Sequence, residues 1–116
     1  MKIKFQADEN LRRAIVSGVR RRESAISFAL AVESGVVSKN DSSGLQISAQ
    51  LGRILVSHDI RTMPQHFRQF TVVQSSPGLL LIPQRLPVAL AIEEIILIWE
   101  ASEAEEWKDQ IAYLPL

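Results

Sequence analysis

ILVSHD, at residues 54–59, is the stretch that decides the fold of this chain. Its consecutive apolar residues are typical of a strand that is buried on both faces, as in a parallel sheet. A second strand-like run, KIKFQA at residues 2–7, leads into Asp8 and Glu9, just as the first run ends at Asp59. If the two strands lie side by side and parallel, these carboxylates emerge at the edge where open α/β sheets bind their ligands.

Strand and helix patterns alternate over the rest of the chain. Strands are predicted at residues 2–7, 24–30, 54–57, 78–82 and 111–114. Helices are predicted at residues 10–22, 41–51, 61–70 and 87–100, with a loop at 34–40 and a capping box at 102–105. This order predicts a three-layer α/β/α sandwich with a mainly parallel four- to five-stranded sheet. The 116 residues are expected to form a single domain, residues 1–116.

Polar residues and prolines mark the predicted helix starts. Asn10 is predicted to cap the first helix, and Asp41 or Ser42 the second, because their side-chain oxygens accept hydrogen bonds from free backbone N–H groups. Pro64 and Pro87 suit the first turn of the last two helices. The helix that Pro87 opens is apolar on nearly every side, which is hard to bury in so small a domain, so we expect a homodimer.

The composition excludes several classes of function. The chain has no cysteine, which removes disulfides, iron–sulfur clusters and thiol nucleophiles from consideration. No long apolar segment follows the basic start, so we expect no signal peptide. The most apolar run, IILIW at residues 95–99, is far shorter than the roughly 20 residues of a membrane span. We therefore expect a cytoplasmic protein with no membrane segment.

The charges are divided between the two halves of the sequence, although the formal net charge is zero. Residues 1–61 carry a net charge of +4 and residues 62–116 a net charge of −4. Five arginines crowd the predicted first helix: Arg12, Arg13, Arg20, Arg21 and Arg22. Such a patch attracts phosphate backbones, although an ordinary solvated helix face explains it as well.

The acidic residues suggest a metal site. Clustered carboxylates suit a hard divalent cation such as Mg²⁺ or Mn²⁺, with Asp8 and Asp59 as ligands and Glu9 beside them. Asp41 is a candidate third acid if the fold brings the start of its helix over the same sheet edge. The alternative is that these aspartates are turn and cap residues that close the loops between strands and helices.

The residues around Asp59 leave two interpretations open. His58 is predicted to point to the opposite face of the strand, so a structural role is favoured over that of a general base. Arg61 and Thr62 suit either contact with a phosphate or the entry to a helix. The chain contains no glycine-rich phosphate loop, no nucleophile elbow and no HExxH motif.

Three blocks of sequence resemble the DUF5615 family of small bacterial PIN-like proteins. They are FQADENL at residues 5–11, GRILVSHD at 52–59 and SPGLLLIP at 76–83. The resemblance implies a PIN-like fold with an acidic pocket and a Mg²⁺- or Mn²⁺-dependent ribonuclease ancestry, often in toxin–antitoxin pairs. By position, Asp8, Asp41 and Asp59 match the catalytic and metal-binding acids of the family.

The chain departs from the family pattern at Arg61, where many relatives have a second acid. The first hypothesis is a metal-dependent ribonuclease in which Asp8, Asp41 and Asp59 hold the cation. RNA would then contact Arg12, Arg13, Arg61 and Thr62. The second is a non-catalytic PIN-like module that binds RNA or a small antitoxin protein, which the arginine at position 61 favours.

A third hypothesis is a receiver-type phosphoacceptor domain. Receivers also combine an acidic pair after the first strand with an aspartate after the third. They require a lysine after the last strand, however, and the last lysine of this chain, Lys108, precedes the predicted final strand. This hypothesis ranks well behind the other two.

Overall fold

The computed structural model of the protein describes residues 1–36 and 42–116. It contains five β-strands: β1 (Lys4–Ala7), β2 (Ser27–Ala29), β3 (Ile54–Ser57), β4 (Leu79–Leu81) and β5 (Ile111–Tyr113). The helices are α1 (Arg13–Arg22), α2 (Ala31–Ser34), α3 (Ser42–Leu51), α4 (Met63–Val73) and α5 (Val88–Ala101), followed by a 3₁₀ turn at Ala104–Trp107. The predicted α/β class is confirmed.

All five strands are parallel, and they lie in the order β2-β1-β3-β4-β5. From β1 the chain moves outward to β2, then returns to place β3 on the other side of β1. The direction of winding therefore changes between β1 and β3, and a doubly wound sheet opens a crevice at the carboxyl ends of those two strands. Asp8 and Asp59 follow these two strands, so the topology places both predicted acids at the switch point.

One face of the sheet is covered by α1 and α5. Alternate strand residues point to this side, among them Phe5, Val56 and Leu80. They pack against Ile15 and Ile95 of the two helices, and all five side chains are buried. The apolar run of β3 thus supplies side chains to both layers, as a central parallel strand requires.

The opposite face of the sheet is covered by α3 and α4. Leu55, Leu79 and Leu81 point to this side and pack against Met63 and Phe67 of α4, with Leu45 from α3. Each of these side chains is buried. With helices on both faces of the sheet, the molecule is a three-layer α/β/α sandwich.

A glycine allows α1 and α5 to approach each other closely. A Cβ atom added to Gly18 would lie 2.1 Å from Cδ1 of Ile92. Atoms cannot approach so closely, so a larger residue at position 18 would force Ile92 to move. The close packing of α5 against α1 fixes the position of α1, whose first residue, Arg13, lies at the carboxyl edge of the sheet.

Helix α5 confirms the predicted long apolar helix. Its buried stripe consists of Ala91, Ile92, Ile95 and Ile98. Leu90 and Leu97 remain about half exposed on the outer side. The homodimer stays a prediction. Within the described residues, no helix is long and apolar enough to cross a membrane.

Two predicted caps are wrong because neighbouring bonds take their place. Asn10 lies in the turn that the backbone bond from Leu11 to Asp8 closes, and α1 begins only after Arg12. Ser102 ends α5 by donating to the carbonyl of Ile98, so the following capping box starts at Glu103 instead. The short helix α2 occupies residues 31–34 and ends where the predicted loop begins, and Asp41 lies outside the described residues.

Gly78 is predicted to tolerate no side chain, because its φ is +128° and a Cβ would lie 2.6 Å from the carbonyl oxygen of Trp107. Gly78→Ala should lower the free energy of unfolding by about 3 kcal/mol in urea denaturation. Gly52→Ala is the matched control: its φ is +67°, but no described atom lies within 4 Å, so only about 1 kcal/mol should be lost. Equal losses in the two variants would contradict the assigned contact.

Candidate functional site

Asp8 and Asp59 meet at the hydroxyl group of Ser57, the last residue of β3. The backbone N–H of Asp8 donates to the carbonyl of Val56 over 2.9 Å, which keeps Asp8 beside β3. The buried Ser57 hydroxyl donates to Oδ2 of Asp8 over 2.8 Å and accepts the backbone N–H of Asp59 over 3.0 Å. One serine therefore connects the two predicted acids across the switch point.

The carboxylate of Asp59 is bound by its own loop. Its Oδ1 accepts the backbone N–H of Thr62 over 2.9 Å, and its Oδ2 accepts the Thr62 hydroxyl. Burial raises the pKa of Asp59, but these two donors, with the backbone N–H groups of Arg61 and Met63, lower the pKa below its usual value. Asp59 is thus an anion that closes the loop before α4, which is the turn role that the sequence left open.

The carboxylate of Asp8 faces the beginning of α3. Its Oδ1 accepts the backbone N–H of Glu9 over 2.9 Å. A Cβ added to Gly44, in the first turn of α3, would lie 3.5 Å from this oxygen. The residue before α3 is Asp41, whose predicted role at this site falls outside the described residues.

The donor set suits one hydrated cation better than a two-metal centre. Within residues 1–36 and 42–116, no group of three or more histidine and acidic residues is arranged to hold a metal ion. Mg²⁺ commonly keeps several waters and binds only one or two carboxylates. Asp8 with its neighbour Glu9 fits that description, and each oxygen of Asp59 already accepts one hydrogen bond from Thr62.

His58 holds three chain segments together at the same edge. Its Nε2 accepts the backbone N–H of Arg12 over 3.2 Å, which leaves the ring proton on Nδ1. Nδ1 lies 2.8 Å from the carbonyl oxygen of Ile82 and donates to it. The predicted structural role of His58 agrees with these bonds, because both ring nitrogens are used.

The predicted basic patch is divided between the two ends of α1. Arg12 and Arg13 lie at its start, beside His58 and Asp8, and Arg61 follows Asp59 in the neighbouring loop. At the far end, Arg20 donates to the carbonyl of Phe28 and forms an ion pair with Glu33. Only the first group of arginines shares the carboxyl edge with the acids.

Sequence reasoning missed Ser57 as a member of this site. A serine at the end of an apolar strand is a weak signal, because it equally suits the beginning of a loop. Its importance comes from the register of β1 and β3, which pairs Ala7 with Val56 and so places Asp8 beside Ser57. Thr62 was predicted either to contact a phosphate or to suit the entry to a helix. Its hydroxyl donates to Asp59, and contact with RNA stays a prediction.

A cavity of about 410 Å³ opens at this edge between the β1–α1 connection and α2. Asp8, Glu9 and Arg13 lie on one side of it, and Leu30 and Val32 on the other. Its volume is within the usual range of small-molecule sites, roughly 300–1,000 Å³. The carboxyl edge therefore combines a charged cluster with a concave surface.

The comparisons with known proteins add no assignment to this geometry. No family model matches the chain, and neither the curated proteins nor the solved structures gave a significant match. The fold and the site define a doubly wound parallel α/β domain that carries both acidic residues and arginines at the carboxyl edge of its sheet.

The geometry does not favour the receiver hypothesis. Lys108 lies directly before β5, at the opposite end of that strand from the carboxyl edge, and the buried Leu114 follows β5. A receiver also needs an aspartate whose carboxylate is open to phosphoryl transfer. The two bonds from Thr62 occupy the carboxylate of Asp59.

Thr62→Val is predicted to destabilise the protein in a pH-dependent way. Since the folded-state pKa of Asp59 is lowered, its stabilising contribution is present above the ordinary pKa of 3.8 and is lost as the pH falls through the folded-state value. Near neutral pH the variant should lose about 1 kcal/mol in urea denaturation, and this loss should shrink in acid.

Thr71→Val is the matched control for this measurement, because the Thr71 hydroxyl donates to a backbone carbonyl, that of Arg68, within the same helix. Its effect should not vary with pH. A loss for Thr62→Val that stays constant from neutral to acid pH would contradict the stated role of the Asp59 anion.

Proposed function

We propose that the protein is a Mg²⁺- or Mn²⁺-dependent ribonuclease of the PIN-like type, acting at the carboxyl edge of its sheet. The observation that carries this proposal is that the Ser57 hydroxyl binds both the Asp8 carboxylate and the backbone N–H of Asp59, which brings together the two segments that also carry Arg12, Arg13 and Arg61. Open α/β sheets bind their ligands at this position. Acidic and basic groups side by side suit a phosphodiester, which needs a cation near its reacting oxygen and positive charge along its backbone.

Asp8 and Glu9 would hold the cation in this proposal. A bound divalent ion would supply an activated water and stabilise the negative charge that grows on the phosphate. Ser57 keeps the Asp8 carboxylate in one orientation by donating to Oδ2. Glu9 is exposed and Asp8 is partly exposed, so RNA can approach the pair from solvent.

The three arginines at the edge, Arg12, Arg13 and Arg61, would bind the phosphates on either side of the cleaved bond. Arg12 is placed by the bond from its backbone N–H to His58, and Arg61 by the loop that Asp59 closes. The first turn of α1 contains no acidic residue, so the positive end of the helix dipole adds to their charge.

A small antitoxin protein and a cytoplasmic location belong to the same proposal. They rest on the resemblance of the three sequence blocks to a family in which toxin–antitoxin pairs are frequent. An inhibitor of this enzyme would have to cover the charged edge, so its binding would compete with RNA. The expected homodimer would leave this edge open, because the exposed Leu90 and Leu97 lie on α5.

A second candidate is a PIN-like module that binds RNA or a protein without cleaving it. One specific observation favours it: both carboxylate oxygens of Asp59 accept bonds from Thr62, and both of Asp8 accept bonds from the Ser57 hydroxyl and the backbone N–H of Glu9. Each aspartate therefore has fewer lone pairs left for a cation. Arg61, at the place of a second family acid, points the same way. Both candidates would bind RNA at the same surface, but only the nuclease would cleave it.

Cleavage of a fluorescent single-stranded RNA should require Mn²⁺ or Mg²⁺ and should stop when a chelator is added. Asp8→Asn is expected to lower the rate by a factor of about 100 or more, since it removes the carboxylate charge but keeps the shape. Glu100→Gln is the matched control, an exposed acid on α5 away from the edge, and should cleave at the wild-type rate.

The outcomes separate the two candidates. Metal-dependent cleavage that Asp8→Asn abolishes supports the nuclease. Salt-sensitive RNA binding without turnover at any metal concentration supports the module instead. Cleavage that is equal in Asp8→Asn and wild type would reject the site, and a catalytically inert protein that binds no RNA would reject both.

A further inference from the structure

The cavity beside Asp8 has two unlike walls. It lies at the carboxyl ends of β1 and β2, next to the switch point rather than inside it. Asp8, Glu9 and Arg13 belong to the chain segment that follows β1. Leu30, Val32 and Val36 belong to the segment that follows β2. A ligand that fills this space would meet charge on one side and aliphatic carbon on the other.

Arg13 supplies positive charge to the cavity. It is the first residue of α1, and none of the ion pairs within the described residues uses it. Its charge reaches across to α2: the bond from Arg20 is the main cause that lowers the pKa of Glu33, and the charge of Arg13 adds to it. An anionic group in the cavity would be within the field of this guanidinium.

The opposite wall is apolar and partly exposed. Val32 is 74% exposed, although it is a large aliphatic residue, while Val36 is buried and Leu30 half-buried. Leu11 and Ala7 add further apolar surface at the bottom of the cavity. Apolar walls with few polar groups are what flat organic rings bind in protein pockets.

We propose that this cavity binds one nucleotide unit, with its base against Leu30, Val32 and Val36 and its phosphate at Arg13. The inference rests on the proposed action on RNA and adds a base pocket to it. The nucleotide is either a free nucleoside monophosphate or one residue of an RNA strand, since both present the same base and phosphate. Within an RNA strand, the pocket selects which nucleotide lies next to Asp8.

The charge distribution favours a nucleotide over a purely apolar ligand. An apolar molecule would place the charged groups of Asp8, Glu9 and Arg13 against carbon, which is unfavourable because these groups would lose hydration. A nucleotide avoids this cost because its phosphate, its ribose hydroxyls and its base edges are polar. The cavity volume of about 410 Å³ gives room for such a unit.

The first test is calorimetric titration of the purified protein with AMP, GMP, CMP and UMP, each separately. Val32→Glu places a carboxylate in the apolar wall and should weaken the best of the four ligands by at least about tenfold. Val72→Glu is the matched control, since Val72 is 85% exposed on α4 and the charge change is the same. It should bind as the wild type does.

The second pair of variants tests the phosphate position. Arg13→Gln should weaken the monophosphate by about tenfold but leave the affinity for the corresponding nucleoside, which lacks the phosphate, nearly unchanged. Arg21→Gln, an exposed arginine near the other end of α1, should change neither affinity. Unfolding curves of all four variants confirm that they are folded.

Binding to short RNA homopolymers distinguishes the two sources of the nucleotide. If the RNA strand supplies it, the preferred homopolymer should carry the preferred base, and Val32→Glu should remove the preference. If only free monophosphates bind, the cavity is a nucleotide site apart from the RNA surface. Wild-type protein that binds none of the four monophosphates, or equal affinities in Val32→Glu and Val72→Glu, would overturn the inference.

The inference and the proposed function fail in different ways. Monophosphate binding that follows the expected pattern, combined with cleavage unaffected by Asp8→Asn, would overturn the nuclease and keep the pocket. Cleavage that depends on Asp8 but shows no base preference and no response to Val32→Glu would keep the nuclease and overturn the pocket.

Discussion

The parallel pairing of β1 with β3 is the constraint on which the rest of this structure depends. It sets Ala7 beside Val56, continues in the bond from the Asp8 backbone to the Val56 carbonyl, and ends at the Ser57 hydroxyl. Because the chain changes its direction of winding at this pair, the topology opens a crevice at the carboxyl ends of the two strands. A crevice with acids on both sides is therefore a consequence of topology.

The bonds at this edge serve structure and chemistry together. His58 joins the start of α1 to the end of β4, and Asp59 fixes the start of α4 through Thr62. Such bonds place the arginines, but they also consume the lone pairs that a metal ion would need. The balance between a working nuclease and a binding module therefore depends on whether Asp8 and Glu9 hold a cation.

Much of the fold could be predicted because its signals are local. The apolar residues of β3 and the two prolines gave strand and helix positions within one to three residues. The cap predictions failed where another hydrogen bond competed with the predicted one. Asn10 has a side chain suited to a cap, but the backbone bond from Leu11 to Asp8 forms a turn there, so the helix begins later. Helix α2, of four residues, has too short a pattern to be recognised.

The sequence by itself determined the α/β class, the residues at the strand ends and the acids that follow them, since each depends on the period of neighbouring side chains. Only the tertiary structure decided that Ser57 joins Asp8 to Asp59, that Arg20 pairs with Glu33, and that a cavity separates Arg13 from Val32. These contacts depend on strand register and helix placement, which bring together residues distant in sequence. Local sequence patterns do not show which distant residues come into contact.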